Sequence, residues 1–549
     1  MYKKIFQSEV KNLLRSKTYI LYLLLNAVLT AVSLSTFSAT LAANNYYRFF
    51  RFGFFELLVF ASTFILAVIA GKSPNRIAEI TFADKGCQFI AKFTAYFVFE
   101  LPLLIYPIVY NLVNSNYLAD TIYTASAVLL HTSRLFVVIL FAHTCGFIIS
   151  YLTKNTLSVL LVLPLLALFS VFNSFVLGVF GLCDEMGDLI PSLFSFNMLF
   201  GELPLDTYAG PRFDVLNLCK NLNFVFFCLS VVLVMYFFLR RKKASLSGII
   251  ISVSAAACAV LCITSVCTFI KLFPAEYDYT SHALLTPDSP EATGDHITKC
   301  AGEVTLGEWS EFSVDISAED RNDDGVISFG LDDCFEINDI SANGKALRFN
   351  RNGKIVNIFD ADVTETIRIK YRGRPFYKTD KSNGEIHTST FSGALPVGFA
   401  FLPITGSGDT TDYDLNIKSK NTVVSNLSCD YPDGYLGATV DYNTYRFKGE
   451  SSAVCMFYGY FDSFEKDGVT VYHGKYDDLS DYENEGFIRA FRYRKRNYSG
   501  SGGDKLQEVS DDEKRNCKKL FLIYYTYHSS TFPCYFDNCV YFNYGIAQE

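Results

Sequence analysis

Tryptophan occurs once in the 549 residues, methionine five times, and charged side chains make up only 19% of the chain. Three functional patterns are missing. No G-x-x-x-x-G-K-[ST] loop is present to cradle nucleotide phosphates, so the chain has no site of that kind for hydrolysing ATP. No H-E-x-x-H sets two imidazoles on one helical face beside a general base, which excludes the zinc-peptidase arrangement. No C-x-x-C pair occurs, so zinc knuckles and thioredoxin-like redox centres are unsupported. The histidines are scattered, and His282, His296, His387, His473 and His528 lack the spacing and neighbouring carboxylates of a metal or catalytic site. No catalytic residue, metal ligand or cofactor is expected in this chain, and it is not expected to be an enzyme.

Long apolar runs dominate what is there. Stretches at 18–41, 53–71, 92–113, 124–152, 156–181, 222–239 and 247–270 each approach or exceed the ~20 residues that cross ~30 Å of hydrocarbon as a helix. The fold class expected is a polytopic α-helical membrane domain of about seven spans over 1–272, then an extracytoplasmic all-β sandwich-like domain. Within 1–17, Ile5, Val10, Leu13 and Leu14 alternate with five basic residues, as in an amphipathic helix lying on the inner leaflet. A signal peptide is the alternative, but the apolar run is longer than the usual h-region.

Orientation follows the Lys and Arg content of the short loops. Alternate loops carry Lys3, Lys4, Lys11, Arg15 and Lys17, then Lys72, Arg76, Lys85 and Lys92, then Lys154, then Arg240, Arg241, Lys242 and Lys243. The intervening loops are poor in them. The N-terminus is therefore expected in the cytoplasm of a multi-pass cell-membrane protein, and seven crossings place the C-terminal domain outside. Residues 1–273 hold 20 Lys and Arg against 12 Asp and Glu, and the remainder 28 against 44. So acidic an exported half has no electrostatic attraction for nucleic acid.

The order of parts is informative. An interfacial helix leads to two spans, then a polar cytoplasmic segment over 72–91, three further spans, a Pro-punctuated outer segment over 183–221 suited to re-entrant helices, and a last pair of spans. Over roughly 1–243 this order resembles the permease subunits of the type-2 ATP-binding-cassette exporter superfamily. The resemblance implies that the 72–91 loop couples to the ATPase, with Arg76, Glu79, Ile80 and Asp84 on the docking segment and Lys92 behind it. It also implies partners: a separate ATPase subunit holding ATP-Mg, and a second permease half, in a lipid membrane. A seventh span departs from the six of the simplest members, and it is what exporting a C-terminal domain requires. The small-residue stretch Ser252–Cys258 suits close packing of that span on another helix.

Charges within spans are costly and select themselves for attention. Glu100 and Arg134 enter their spans from opposite sides and are expected near mid-depth on adjacent antiparallel helices, as a pathway ion pair or an internal structural one. His131 and His143 are expected as polar packing or cavity-lining groups, not ligands, and Glu56 is expected to reach the interface.

Beyond a linker over 273–300 the pattern changes to strand-like alternation, in GVISFGL, FEINDISANGKALRF, KIVNIF and TIRIKYRG, with turn residues between. Asn343-Gly344 marks a hairpin. Further strands are expected at 413–426, 434–448, 453–473 and near 520–525. The sequence over 301–549 resembles the N-terminal β domain of gluzincin, aminopeptidase N-type peptidases, through the strand at Phe335–Ile340 before the hairpin, TIRIKYRGRP, ALPVGFAFLPI, DYDLNIKSKNTVVSN and FYGYFDSFEKDGVTVY. The resemblance implies that the chain stops before the catalytic domain of that family would start, so that domain is expected to be lacking.

Eight of the fifteen cysteines fall in 1–273 and seven beyond. Cys534 and Cys539 form a possible disulfide if a turn brings their Cα atoms within ~7 Å. The function expected is an exporter permease subunit driven by a separate ATPase, with an external β domain for substrate handling or partner binding. The alternative is a membrane-anchored, truncated peptidase-like protein with no transport role.

Overall fold

The computed structural model describes residues 2–38, 45–73, 84–118, 121–153, 156–170, 189–195, 215–240 and 246–273 of the N-terminal part. In the C-terminal part it describes 275–277, 295–319, 325–359, 366–379, 385–396, 399–405, 410–429, 437–452, 454–466, 468–475, 493–495, 506–508, 518–523, 534–536 and 539–543, with isolated positions between these ranges. Two compact units divide at residues 273 and 274. The first is helical and the second β-rich.

In the helical unit, α1 is Tyr2–Leu14, α2 Lys17–Ser38, α3 Asn45–Lys72, α4 Lys85–Glu100, α5 Ile105–Leu118 and α6 Thr121–Leu152. They are followed by α7 Val162–Phe169, α8 Leu189–Phe194, α9 Val215–Leu239 and α10 Leu246–Leu272. Among the described residues, five helical stretches are long and apolar enough to cross a membrane: Phe55–Lys72, Lys85–Leu112, Thr121–Leu152, Val215–Leu239 and Gly248–Leu272. Lys17–Ala31 and Ser158–Phe169 are shorter apolar helices, and they fall in the stretches expected as spans one and five. The 92–113 stretch is not one straight helix. Pro102 lies in a 3-10 turn, Leu101–Leu104, between α4 and α5, where its missing N–H and bulky ring disfavour an unbroken α-helix.

The helix directions can be read from contacts. Arg134 meets Glu56 at a sequence separation of 78. A Cβ on Gly146 would lie 2.7 Å from the Ala67 Cβ, and one on Gly71 would lie 1.8 Å from Ser150 Oγ. The offset is nearly constant along the contact, so α3 and α6 run parallel. The aromatic contacts Phe89–Tyr151, Phe93–Phe147 and Phe97–Phe136 run the opposite way, so α4 is antiparallel to α6. Close helix approach at Gly146 needs the absent side chain, because a Cβ there would lie 2.6 Å from the Phe64 carbonyl oxygen.

Helix α1 buries Ile5, Glu9 and Leu13. Its Ile5 packs with Ala91 and Cys87 of α4, and Tyr2 shares a 2.9 Å hydrogen bond with Thr94. Part of the apolar stripe expected to rest on lipid, Ile5 above all, is therefore covered by α4, whereas Leu14 stays exposed and the basic residues Lys3, Lys4, Lys11 and Arg15 lie on the open side. Helix α10 packs on α9 through Ala255, whose carbonyl accepts from Ser230, and through Cys262, whose thiol meets Asn223 Oδ1 at 3.0 Å. Ala255 belongs to the small-residue stretch, and its lack of bulk permits this approach.

In the β-rich unit the strands run β1 Ala275–Tyr277, β2 His296–Thr305, β3 Ser310–Glu319, β4 Val326–Gly330, β5 Phe335–Ala342, β6 Lys345–Ala346, β7 Arg348–Asn352 and β8 Ile355–Phe359. They continue with β9 Ile367–Gly373, β10 Phe376–Thr379, β11 Glu385–Thr388, β12 Gly393–Leu395, β13 Thr411–Ser419, β14 Thr422–Ser425, β15 Ser428–Cys429, β16 Asn443–Ser451 and β17 Met456–Gly459. The last are β18 Phe461–Lys466, β19 Val469–Gly474, β20 Tyr493–Lys495, β21 Leu506–Glu508, β22 Lys519–Ile523, β23 Cys534–Phe536 and β24 Cys539–Asn543. Strand β1 and the start of β2 lie in the segment expected as a linker.

One sheet is eight-stranded in the order β15-β16-β13-β2-β3-β9-β5-β6, and a second is six-stranded in the order β1-β10-β11-β12-β17-β14. Alternation explains how they share a core. Ile367, Ile369 and Tyr371 of β9 are buried while Arg368, Lys370 and Arg372 point out. The inward set meets Val304, Val314, Ile316, Leu415 and Phe447 of the same sheet, and Ile386, Leu395, Val423, Met456 and Tyr458 of the second, in one hydrophobic cluster. The outward set pairs across strands, Arg368 with Asp315 at 2.7 Å and Arg446 with Asp414 at 2.8 Å. The hairpin at Asn343-Gly344 forms with φ of 50° and 77°, the left-handed pair that a two-residue turn demands.

Candidate functional site: buried charges in the helical unit

Arg134 does not pair with Glu100. Its Nη2 donates to Glu56 Oε2 at 3.1 Å, and both side chains are withdrawn from solvent. Glu100 instead faces His143, with Nδ1 to Oε2 at 2.8 Å and neither group exposed. The sequence placed Glu56 at an interface and His143 among packing groups, so each expected charge has a partner that was not chosen for it. The reason is helix adjacency. Parallel α3 brings Glu56 level with Arg134, and antiparallel α4 brings Glu100 level with His143.

The His143 ring is fixed from its other side. Nε2 lies 3.0 Å from the Phe93 carbonyl oxygen, an atom that only accepts, so Nε2 carries a proton. The 2.8 Å approach of Nδ1 to Oε2, close but not aligned as a hydrogen bond, then needs a further proton on one of the two atoms, since two lone pairs would repel. Ionised carboxylate with imidazolium, or carboxylic acid with neutral imidazole, both leave the pair without net charge, which is what a low-dielectric interior demands. Aromatic rings wall it in: Phe93 and Phe147 centroids each lie 4.6 Å from the imidazole and Phe97 5.5 Å.

More polar groups converge near Arg134. Asn221 Nδ2 donates to Ser133 Oγ at 3.3 Å, and His131 Nδ1 contacts Asn111 Nδ2 at 3.0 Å. Buried Lys220 adds a second positive charge that acts on Glu56 electrostatically. Asn217, Asn223 and Lys220 make the first half of α9 polar on its buried side. Sequence reading missed this face because α9 begins inside the outer segment over 183–221, read as short re-entrant helices ahead of a span starting at 222; the Asn217, Lys220, Asn223 spacing of three is its helical signature.

Of the coupling residues, Arg76, Glu79 and Ile80 lie outside the described residues. Asp84 is the N-cap residue of α4, and its carbonyl accepts from Gln88 N at 3.0 Å. At the same ends of the helices, Lys92 Nζ donates to the Ser73 carbonyl, and Lys72 Nζ to Ser158 Oγ at 2.8 Å. These bonds tie both flanks of the 72–91 segment to the bundle.

Cys534 and Cys539 lie on adjacent antiparallel strands, β23 and β24. The register sets Cys539 opposite Phe536 and Cys534 opposite Tyr541, so the two cysteines are diagonal, two positions apart, and not directly across. Among the described residues no group of three or more His, Cys, Asp or Glu side chains is arranged to hold a metal ion.

No protein-family model and no curated protein matches the chain. Among solved structures, yeast LTA4 hydrolase in complex with bestatin is similar at 13% identity and TM-score 0.31, over 48% of this chain and 44% of that one. An M1 zinc metallopeptidase from Deinococcus radiodurans is similar at 10% identity and TM-score 0.29, over 45% and 60% respectively. An aminopeptidase N family protein from Idiomarina loihiensis is similar at 11% identity and TM-score 0.29, over 44% and 41%. The chain thus spans between about two fifths and three fifths of those proteins, and likeness at these scores assigns it no activity.

Proposed function

We propose that the chain is a permease subunit of an ATP-binding-cassette exporter, driven by a separate ATPase subunit, with its β-rich unit outside the membrane for substrate handling or partner binding. The observation that supports it most is the interior of the helical unit. An anchor needs one apolar helix, whereas here five apolar stretches accompany ion pairs from α3, α4 and α6 that are hidden inside the bundle. Intramembrane charges kept and paired at such cost accompany pathways and moving elements more often than tethers.

In this proposal the chain hydrolyses neither ATP nor peptides. The 72–91 segment docks the ATPase, and α3 and α4, which flank it, carry nucleotide-driven closure towards the Glu56–Arg134 and Glu100–His143 pairs. A second permease half completes the transporter. The N-terminus is cytoplasmic.

The test is co-purification of the full chain with a co-expressed ATP-binding-cassette ATPase subunit. Replacing Glu79 and Ile80 by Ala should leave membrane insertion intact, weaken ATPase binding and uncouple its hydrolysis. Unchanged binding and unchanged hydrolysis would remove the coupling assignment.

A further inference from the structure

Four large apolar side chains stand exposed among the described residues of the β-rich unit, and three share one end of the eight-stranded sheet: Trp309 at 59%, Val440 at 75% and Tyr442 at 47%. Their proximity follows from the register. Thr305 at the end of β2 pairs with Glu311 near the start of β3 and with Lys418 of β13, while Ser419 pairs with Asn443 at the start of β16. The turns 306–309, 420–421 and 437–442 therefore cluster. A Cβ on Gly307 would lie 3.7 Å from the Tyr442 hydroxyl, and Lys420 Nζ sits 5.2 Å over the Tyr442 ring.

The chain enters the unit at this same end. Ser310 pairs with Gly373, the last residue of β9, and β10 begins three residues later. Arg374 between them reaches back to Glu308 at 3.5 Å. Strand β1 lies parallel to β10, with Ala275 beside Tyr377, so β1 starts where β10 starts. Only Phe273 and Pro274 separate β1 from the end of the last apolar helix at Leu272, and three extended peptide steps reach at most about 11 Å.

We propose that this rim, Trp309, Val440 and Tyr442 with Lys420, seats in the headgroup region of the outer leaflet. The inference rests on the proposal that the Gly248–Leu272 helix crosses the membrane and goes beyond it. Tryptophan and tyrosine favour that depth because the ring is apolar and the N–H or hydroxyl wants a wet partner. The ion pair of Glu308 with Arg374 removes one carboxylate charge from the rim, and Lys420 supplies a cation for lipid phosphate. The short tether keeps the rim at high effective concentration against the bilayer, so three side chains suffice.

Trp309 is the single tryptophan of the chain, so intrinsic fluorescence reports this position alone. The experiment uses the full chain reconstituted into phosphatidylcholine vesicles, with acrylamide on both sides as the aqueous quencher and nitroxide-labelled lipids as membrane quenchers. Shallow nitroxides should quench Trp309 strongly and deep ones weakly, acrylamide should quench little, and V440S/Y442S should shift emission to the red and restore acrylamide quenching. Full acrylamide quenching without lipid quenching, in protein that floats with the vesicles, overturns the rim assignment alone. Shielding from both quenchers overturns it in favour of a protein contact. Failure to float with the vesicles overturns the membrane assignment of the helices, and the rim falls with it.

Discussion

Arg134 on α6 is held by Glu56 on α3 at 3.1 Å, and both are buried. Two parallel helices separated in sequence by α4 and α5 thus share an ion pair, while the intervening α4 uses its own carboxylate on His143.

Removing one member of the first pair should cost ~3–5 kcal/mol, because it leaves a buried charge without its partner. Glu56→Gln should cost more than Arg134→Gln. The first removes the carboxylate on which both Arg134 and Lys220 act, whereas the second leaves Glu56 with Lys220. The double variant should be less destabilised than the sum of the singles when melting is followed in detergent, and additive effects would disconnect the pair.

Charge reversal separates the two pairings directly. E56R/R134E should recover part of the stability that either single reversal loses. The corresponding swap of Glu100 and Arg134 should recover none, since the two do not touch. Recovery by that second swap, measured as monodisperse protein on size exclusion, would contradict the register of α3 and α4 against α6.

Gly146→Val should destabilise the helical unit by at least ~1–3 kcal/mol, the usual cost of forcing volume into a packed contact. Its Cβ would meet the Phe64 carbonyl at 2.6 Å, and backbone does not give way cheaply. Gly307→Ala meets nothing closer than 3.5 Å and serves as the tolerant control. Equal melting temperatures for the two variants would argue against close contact of α3 and α6.

Asp332 should make the β-rich unit acid-sensitive. Burial pushes its carboxyl pKa up, but the Lys354 ammonium at 2.7 Å, the Cys334 N–H and the Tyr377 hydroxyl at 2.8 Å outweigh this and hold it below the usual carboxylate range. A lowered folded-state pKa gives stability that is complete above the unfolded value of ~3.9 and is lost as pH falls through the folded value. Asp332→Asn should lower stability at neutral pH by ~1–3 kcal/mol and flatten the acid limb of the melting profile. An unchanged acid limb would show that Asp332 does not govern it.

Much of the architecture was legible because it depends on near neighbours in sequence. Runs of about twenty apolar residues mark helices that only lipid or a large core can cover. The alternation in 366–373 sends Ile367, Ile369 and Tyr371 inward and their basic neighbours outward, whatever the rest of the sheet does. Asn343-Gly344 forms its turn since both residues tolerate positive φ. Position along a helix was legible too, which is why Glu100 and Arg134 stood out as buried charges.

Which helix lies beside which was not. Glu56, Glu100, Arg134 and His143 are each compatible with several partners by depth alone, and the choice belongs to the close approach of α3 and α6 at Gly71 and Gly146, set by packing between segments far apart in the chain. The amphipathic stripe of α1 was visible, but the sequence does not say whether lipid or α4 covers it, because both present the same apolar chemistry. The clustering of Trp309, Val440 and Tyr442 depends on β2 pairing with β13 in parallel across more than a hundred residues. Local sequence determined the elements and their buried faces through periodicity and turn chemistry; only the tertiary structure decided the partners, because they are selected by shape and register between distant segments.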